Sequence, residues 1–141
     1  MPMHAPLRIL LVDDDLNQLR ASARQLQGYS LRFATDVSSA LQELQAGAVD
    51  VVLSDYQMPG NGDGIALLEA VRHALPEARR ILTSAAPPPY LPELLLSGVV
   101  EHFIPKPSPR PLRQVLRDLE VKPQRQPARP RAATVPAHDL N

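Results

Sequence analysis

The chain contains no cysteine. That absence excludes a disulfide framework and any thiolate metal site. It also lacks tryptophan, and its two Phe and three Tyr offer few rings on which nucleic-acid bases stack. No run approaches the roughly 18 apolar residues that a membrane-spanning helix requires, and the N-terminus lacks the charged-then-apolar pattern of a secretion signal. These absences predict a soluble, cytoplasmic protein with no membrane partner. A glycine-rich phosphate loop is missing after the first apolar run, which argues against nucleotide binding.

The 141 residues present suit one domain with a substantial core. A formal charge of zero hides an uneven spread. Residues 1–120 carry 11 Lys or Arg against 14 Asp or Glu, whereas 121–141 carry Lys122, Arg125, Arg129 and Arg131 against Asp139 alone. Past Leu119 the hydrophobic periodicity ends and Pro123, Pro127, Pro130 and Pro136 appear among polar and basic residues. The pattern predicts a domain over 7–119 and a disordered Pro/Arg-rich tail over 120–141. A tail of about 20 residues is too short for a helix-turn-helix, so no direct DNA binding is expected.

Apolar runs of strand length occur at 8–12, 49–54, 79–83 and 99–104, with a weaker one at Tyr29–Ala34. Helical periodicity fills the gaps. Leu16, Leu19, Ala23 and Leu26 share one helical face, as do Val37, Ala40, Leu41 and Leu44; Ile65, Leu68, Val71 and Leu75; and Leu112, Val115, Leu116 and Leu119. Continuous apolar strands alternating with amphipathic helices imply a parallel sheet covered on both faces. Gly28, Gly47 and Pro76 mark the ends of the first three helices. Pro87, Pro88, Pro89 and Pro92 forbid ordinary helix entry before about Leu91, so a fourth helix must be short or displaced.

In such a sheet, ligands gather at the carboxyl ends of the strands. Those ends carry Asp13, Asp14 and Asp15 after the first strand, Asp55 after the third, Thr83 and Ser84 after the fourth, and Lys106 after the fifth. Three consecutive acids repel one another, and a hard divalent cation is the natural occupant beside them. One helix needs one cap, and Asp15 is placed to supply it, which leaves Asp13 and Asp14 for other work. Asp55 is placed to take a phosphoryl group as an acyl phosphate, with Thr83 and Lys106 holding the remaining oxygens. Taken singly, each residue has a plainer reading: Asp55 starts a turn with Pro59-Gly60, Thr83 is a strand residue, and Lys106 is a surface lysine.

Four blocks occur in order: Ile9-Leu10-Leu11-Val12-Asp13-Asp14-Asp15; Leu53-Ser54-Asp55-Tyr56-Gln57-Met58-Pro59-Gly60 with Asp63-Gly64; Ile81-Leu82-Thr83-Ser84-Ala85; and Phe103-Ile104-Pro105-Lys106-Pro107. Over residues 7–119 this set resembles the receiver domain of two-component response regulators. The resemblance implies a flavodoxin-like, doubly wound α/β fold with five parallel strands in order 2-1-3-4-5 and five flanking helices. It implies Asp55 as phosphoacceptor and Mg2+, with Mn2+ able to substitute, held by Asp14, by Asp13 largely through water, by Asp55 and by the Gln57 main-chain carbonyl. Thr83, the Ser84 main-chain N–H and Lys106 would bind the phosphoryl group, and Thr83 and Phe103 would act as the switch. The Lys106–Pro107 bond would be cis. None of these residues is missing.

The implied partners are a sensor histidine kinase or a histidine phosphotransfer protein, together with an unidentified downstream protein. The protein itself would be a monomer or a phosphorylation-dependent dimer, a signalling domain and not an enzyme. Pro87, Pro88 and Pro89 depart from the family by stiffening the stretch from Thr83 into the fourth helix. Two alternatives differ in class: a protein-interaction module indifferent to phosphate, and an aspartate-nucleophile phosphatase. The phosphatase commonly needs a second acid two residues on, where this chain has Gln57.

Overall fold

The computed structural model describes residues 6–58 and 63–119. The Pro59-Gly60 turn and the tail over 120–141 lie outside those residues. Five strands alternate with five helices: β1 (Arg8–Val12), α1 (Leu16–Gln25), β2 (Ser30–Ala34), α2 (Val37–Ala46), β3 (Val51–Asp55), α3 (Gly64–Ala74), β4 (Arg79–Ser84), α4 (Leu91–Ser97), β5 (His102–Pro105) and α5 (Leu112–Asp118). The strands form one parallel sheet in the order β2-β1-β3-β4-β5, the order that the resemblance implies.

Side-chain alternation in the strands divides the interior into two cores. Leu10, Val12, Val52 and Leu82 face the side covered by α2 and α3, while Ile9, Leu11, Val51, Leu53, Ile81 and Ile104 face the side covered by α1 and α5. Burial on both faces is why the strands read as unbroken apolar runs. Each of the first three helices starts on an aspartate cap. Asp15, Asp36 and Asp63 accept hydrogen bonds from main-chain N–H groups of the first turns, and α3 is additionally followed by Pro76, which cannot continue a helix.

Some boundaries differ from the sequence reading. Val99 and Val100 are buried but precede β5, because the Val100 N–H donates to the Leu94 carbonyl of α4 and is lost to the ladder. Val49 and Asp50 likewise precede β3, where Asp50 accepts from the Arg8 N–H, Nε and Nη2 at 2.9–3.0 Å. Leu16, placed by periodicity on the inner face, is 55% exposed. It occupies the first position of α1, at the edge of an open apolar groove that it lines with Phe33 and Ala34 at the end of β2.

Helix α4 is short, as the prolines require. Its seven residues follow Tyr90, which adopts the left-handed conformation (φ 63°), with Pro92 in the first turn. None of its side chains is fully buried. Its other end is held by Arg80, a nearly buried β4 residue whose polar role the sequence reading missed. Arg80 donates to Gly98 O from Nε and Nη2 (3.0 and 2.8 Å), to Pro76 O and to Ala78 O (3.1 and 3.0 Å), and lies 3.6 Å from Glu101. Burial pulls the Arg80 guanidinium pKa down, and the neighbouring Glu101 opposes that shift. Removing a buried cation orphans several acceptors at once, so Arg80→Ala is expected to lower stability by about 3 kcal/mol. Urea unfolding midpoints at unchanged slope would measure this; a loss below about 1 kcal/mol would show that the guanidinium is dispensable.

Candidate functional site

The register of the sheet assembles the site. Val12 pairs with Ser54 and Asp55 pairs with Thr83, so the residues following β1 and ending β3 and β4 converge at one end. The chain leaves β5 beside them, where the Lys106 N–H donates to Ser84 O at 2.9 Å. The peptide bond from Lys106 to Pro107 is cis.

The three opening acids separate by role. Asp15 caps α1, its carboxylate accepting from the N–H groups of Asn17 (2.9 Å) and Gln18 (3.4 Å). Asp13 is buried and has both oxygens engaged: Oδ1 accepts from the Asp15 N–H and Oδ2 from Lys106 Nζ, each at 2.9 Å. Asp14 is exposed. Single carboxylate oxygens of Asp13, Asp14 and Asp55 lie within 4.8 Å of one another, a spacing that a hard, oxygen-preferring cation can span.

Lys106 stands among these acids, with Nζ 2.9 Å from Asp13 Oδ2 and 3.1 Å from Asp55 Oδ1. No cation adjoins the acids in sequence, yet the fold brings one from 93 residues away. Burial raises the Asp55 pKa; Lys106 opposes that rise and Asp13 adds to it. For Lys106, burial works against the charge, but hydrogen bonds and attraction to Asp13 and then Asp55 outweigh it and hold the ammonium above its ordinary pKa. Both pKa values are raised, which disfavours the charged form of Asp55 and favours that of Lys106: Lys106 faces two anions, whereas Asp55 faces one cation and a second anion.

The other predicted residues are distributed around this centre. The Thr83 hydroxyl donates to Ile104 O at 2.7 Å, and Ser84 is the buried last residue of β4. Gln57 is exposed in the loop after β3. Phe103 is half-buried against the core under α2 and α3, on which Leu91 and Leu94 of α4 also pack. From Asp13, Thr83 and Lys106 a groove of about 850 Å3 runs between Gln18 and Gln25 of α1 and the segment from Pro105 to Pro111. Sequence reasoning assigned no role to Ser54 or Gly64, both of which touch the Asp55 main chain. The only signal was their place inside the blocks that carry the family resemblance.

This parallel sheet, with acids, a hydroxyl and a lysine at its carboxyl end, is the architecture of a phosphorelay signalling domain. The response regulator receiver domain family matches residues 9–117, and the chain belongs to that family. Receiver domains bind Mg2+ through acidic residues, and the cluster of Asp13, Asp14 and Asp55 supplies such a set. The nitrogen assimilation regulatory protein NtrX of Azorhizobium caulinodans is 34% identical over 79 residues, 54% of this chain and 17% of that protein. The sensor histidine kinase RcsC of Salmonella typhimurium is 43% identical over 68 residues, 47% of this chain and 7% of that one. The chain therefore matches less than a fifth of the length of either relative.

Solved structures agree on the fold. The signal receiver domain of an HD domain-containing protein from Pseudomonas fluorescens is 28% identical with a TM-score of 0.73, over 85% of this chain and 89% of that one. The response regulator TrrA of Thermotoga maritima, solved in complex with Mg2+ and BeF, is 28% identical with a TM-score of 0.69, over 80% and 98%. Among the described residues no helix is long and apolar enough to cross a membrane.

The raised pKa of Asp55 has a consequence for stability. Because folding favours the protonated form, the fold is steadier while Asp55 is neutral, and that contribution is lost as pH rises from the ordinary carboxylate range through the raised value. Asp55→Asn removes the titration. Without divalent metal, its melting temperature is expected to exceed that of wild type at neutral pH, with the gap closing as pH falls below the carboxylate range. A gap that widens on acidification would show that the Asp55 charge stabilises the fold.

Proposed function

We propose that the protein accepts a phosphoryl group onto Asp55 from the phosphohistidine of a sensor kinase or histidine phosphotransfer protein, in a Mg2+-dependent reaction in the cytoplasm. The observation that carries this reading is the convergence of Asp13, Asp14 and Asp55, two of them bridged by Lys106 Nζ, beside Thr83 at one end of a parallel sheet. Membership of the receiver family supports it.

Asp14, Asp55, Asp13 through water and the Gln57 carbonyl are the oxygen ligands in this reading, for Mg2+ or for Mn2+ in its place. The bound cation offsets negative charge on the transferring group. An Asp55 carboxylate oxygen attacks phosphorus, the P–N bond to the donor histidine breaks, and the imidazole leaves with the bonding pair. Lys106 then exchanges a carboxylate partner for a phosphoryl oxygen, and the Ser84 main-chain N–H donates to another. The groove beside α1 opens onto Asp13, Thr83 and Lys106 at the edge of this centre.

Thr83 couples the site to the surface. Its hydroxyl is committed to Ile104 O in β5, so binding the phosphoryl group requires it to exchange one acceptor for another. That exchange loosens a β4–β5 contact next to half-buried Phe103, which moves inward and shifts the face formed by β4, β5, α4 and α5 between two states. A downstream protein reads this face, as a monomer or through a phosphorylation-dependent dimer. Turnover of external phosphoesters is not part of the reading, since exposed Gln57 offers no second acid. Acetyl phosphate with Mg2+ is expected to add one phosphoryl mass to wild type and none to Asp55→Asn or to wild type stripped of divalent metal. Mass spectrometry that finds the label in Asp55→Asn would overturn the assignment.

A further inference from the structure

Ser54 and Gly64 meet at the main chain of the acceptor residue. Ser54 precedes Asp55 in β3 and faces the core under α2 and α3, where the neighbouring strand residues Leu10, Val12, Val52 and Leu82 are all apolar. It is fully buried at 0% exposure, and its hydroxyl donates to the Asp55 carbonyl at 2.9 Å. A buried hydroxyl is destabilising without an acceptor, and an apolar side chain would serve packing alone as well. The bond to Asp55 is what distinguishes serine here from alanine.

Gly64 closes on the same carbonyl from α3. Its N–H donates to Tyr56 O at 2.9 Å. A Cβ at this position would overlap the Asp55 carbonyl oxygen, lying also 2.9 Å from Leu82 Cδ1 and 3.1 Å from the Asp55 carbonyl carbon. Gly64 is the first residue of α3, a position that does not itself call for glycine. Proximity to Asp55 therefore accounts for the glycine. Asp63 steadies the approach by capping α3 through the N–H groups of Ile65 and Ala66, both at 3.0 Å.

We infer that Ser54 and Gly64 are positioning residues for phosphorylation, clamping the Asp55 carbonyl between β3 and the start of α3 and so fixing the direction in which its carboxylate faces Asp13 and Lys106. The inference rests on the reading of Asp55 as phosphoacceptor. The carboxylate hangs from the same Cα as the clamped carbonyl, so rotation of that peptide unit swings the attacking oxygen. In-line transfer tolerates little of this, since a misplacement of about 1 Å lowers rates roughly 100-fold. The clamp acts before any donor arrives.

The test uses the full chain with acetyl phosphate as donor at saturating Mg2+, at a temperature where circular dichroism shows each variant folded. Ser54→Ala keeps the volume and deletes the hydroxyl, Ser54→Thr restores it, and Gly64→Ala introduces the overlapping methyl. The expected maximal phosphorylation rate falls about 10-fold in Ser54→Ala and about 100-fold in Gly64→Ala, with the half-saturating acetyl phosphate concentration unchanged, and Ser54→Thr regains most of the loss. A role in packing alone would lower melting temperatures and leave the maximal rate at the wild-type value. That result in Ser54→Ala overturns the inference, whether or not Gly64→Ala folds. A wild type that acquires no label overturns the phosphoacceptor reading and the inference with it, whereas a labelled wild type with unslowed variants overturns the inference alone.

Discussion

The bridge from Lys106 to Asp13 and Asp55 is the interaction on which this structure turns. Pairing β1 with β3 in parallel puts the acids that follow each strand side by side, which is unfavourable in the absence of a cation. The chain resolves this by carrying a lysine to the same place from the end of β5, 2.9 Å from one acid and 3.1 Å from the other. Both carboxylates are thereby held in a defined geometry. One ammonium does not balance three acids, however, and exposed Asp14 is left without a share of this bridge. That residual negative charge is what a divalent cation beside these carboxylates would offset.

Rigid surroundings make that geometry useful. Asp13 has one oxygen fixed by the Asp15 N–H and the other by Lys106, so its carboxylate has little freedom to turn. The Asp55 main chain is held by Ser54 on one side and the start of α3 on the other. Thr83 is the contrasting element, because its hydroxyl is bonded not to the acids but to Ile104 O in the neighbouring strand β5. Beyond it, α4 is short, begins at Tyr90 after three prolines, and is tied at Gly98 by Arg80. Helix α4 therefore has a stiff entry and an anchored exit.

Much of this was legible in the sequence, for physical reasons that can be named. Strands buried on both faces must be continuously apolar, so β1 and β4 were visible directly, and Asp15 was recognisable as a cap because one helix start cannot use three acids. Site residues at strand ends followed from where open sheets leave crevices. The misses share a cause as well. Asp50 and Arg80 sit within apolar runs and read as interruptions, since their partners, Arg8 in one case and the Gly98 and Ala78 carbonyls in the other, are distant or are main-chain atoms without a sequence signature. The start of β5 was misplaced because burial of Val99 and Val100 does not distinguish a strand from a turn bonded to α4. Leu16 kept helical phase but lies exposed at the first position of α1.

Lys106 offsets the repulsion between the acids in the resting site, and a double-mutant cycle in metal-free buffer measures how strongly. Urea unfolding of wild type, Lys106→Met, Asp55→Asn and the double variant gives the coupling energy. The account predicts that Lys106→Met destabilises wild type more than it destabilises the Asp55→Asn background, by about 1 kcal/mol at neutral pH. Effects that add to within about 0.3 kcal/mol would contradict it, because Lys106 and Asp55 would then be neighbours without interaction.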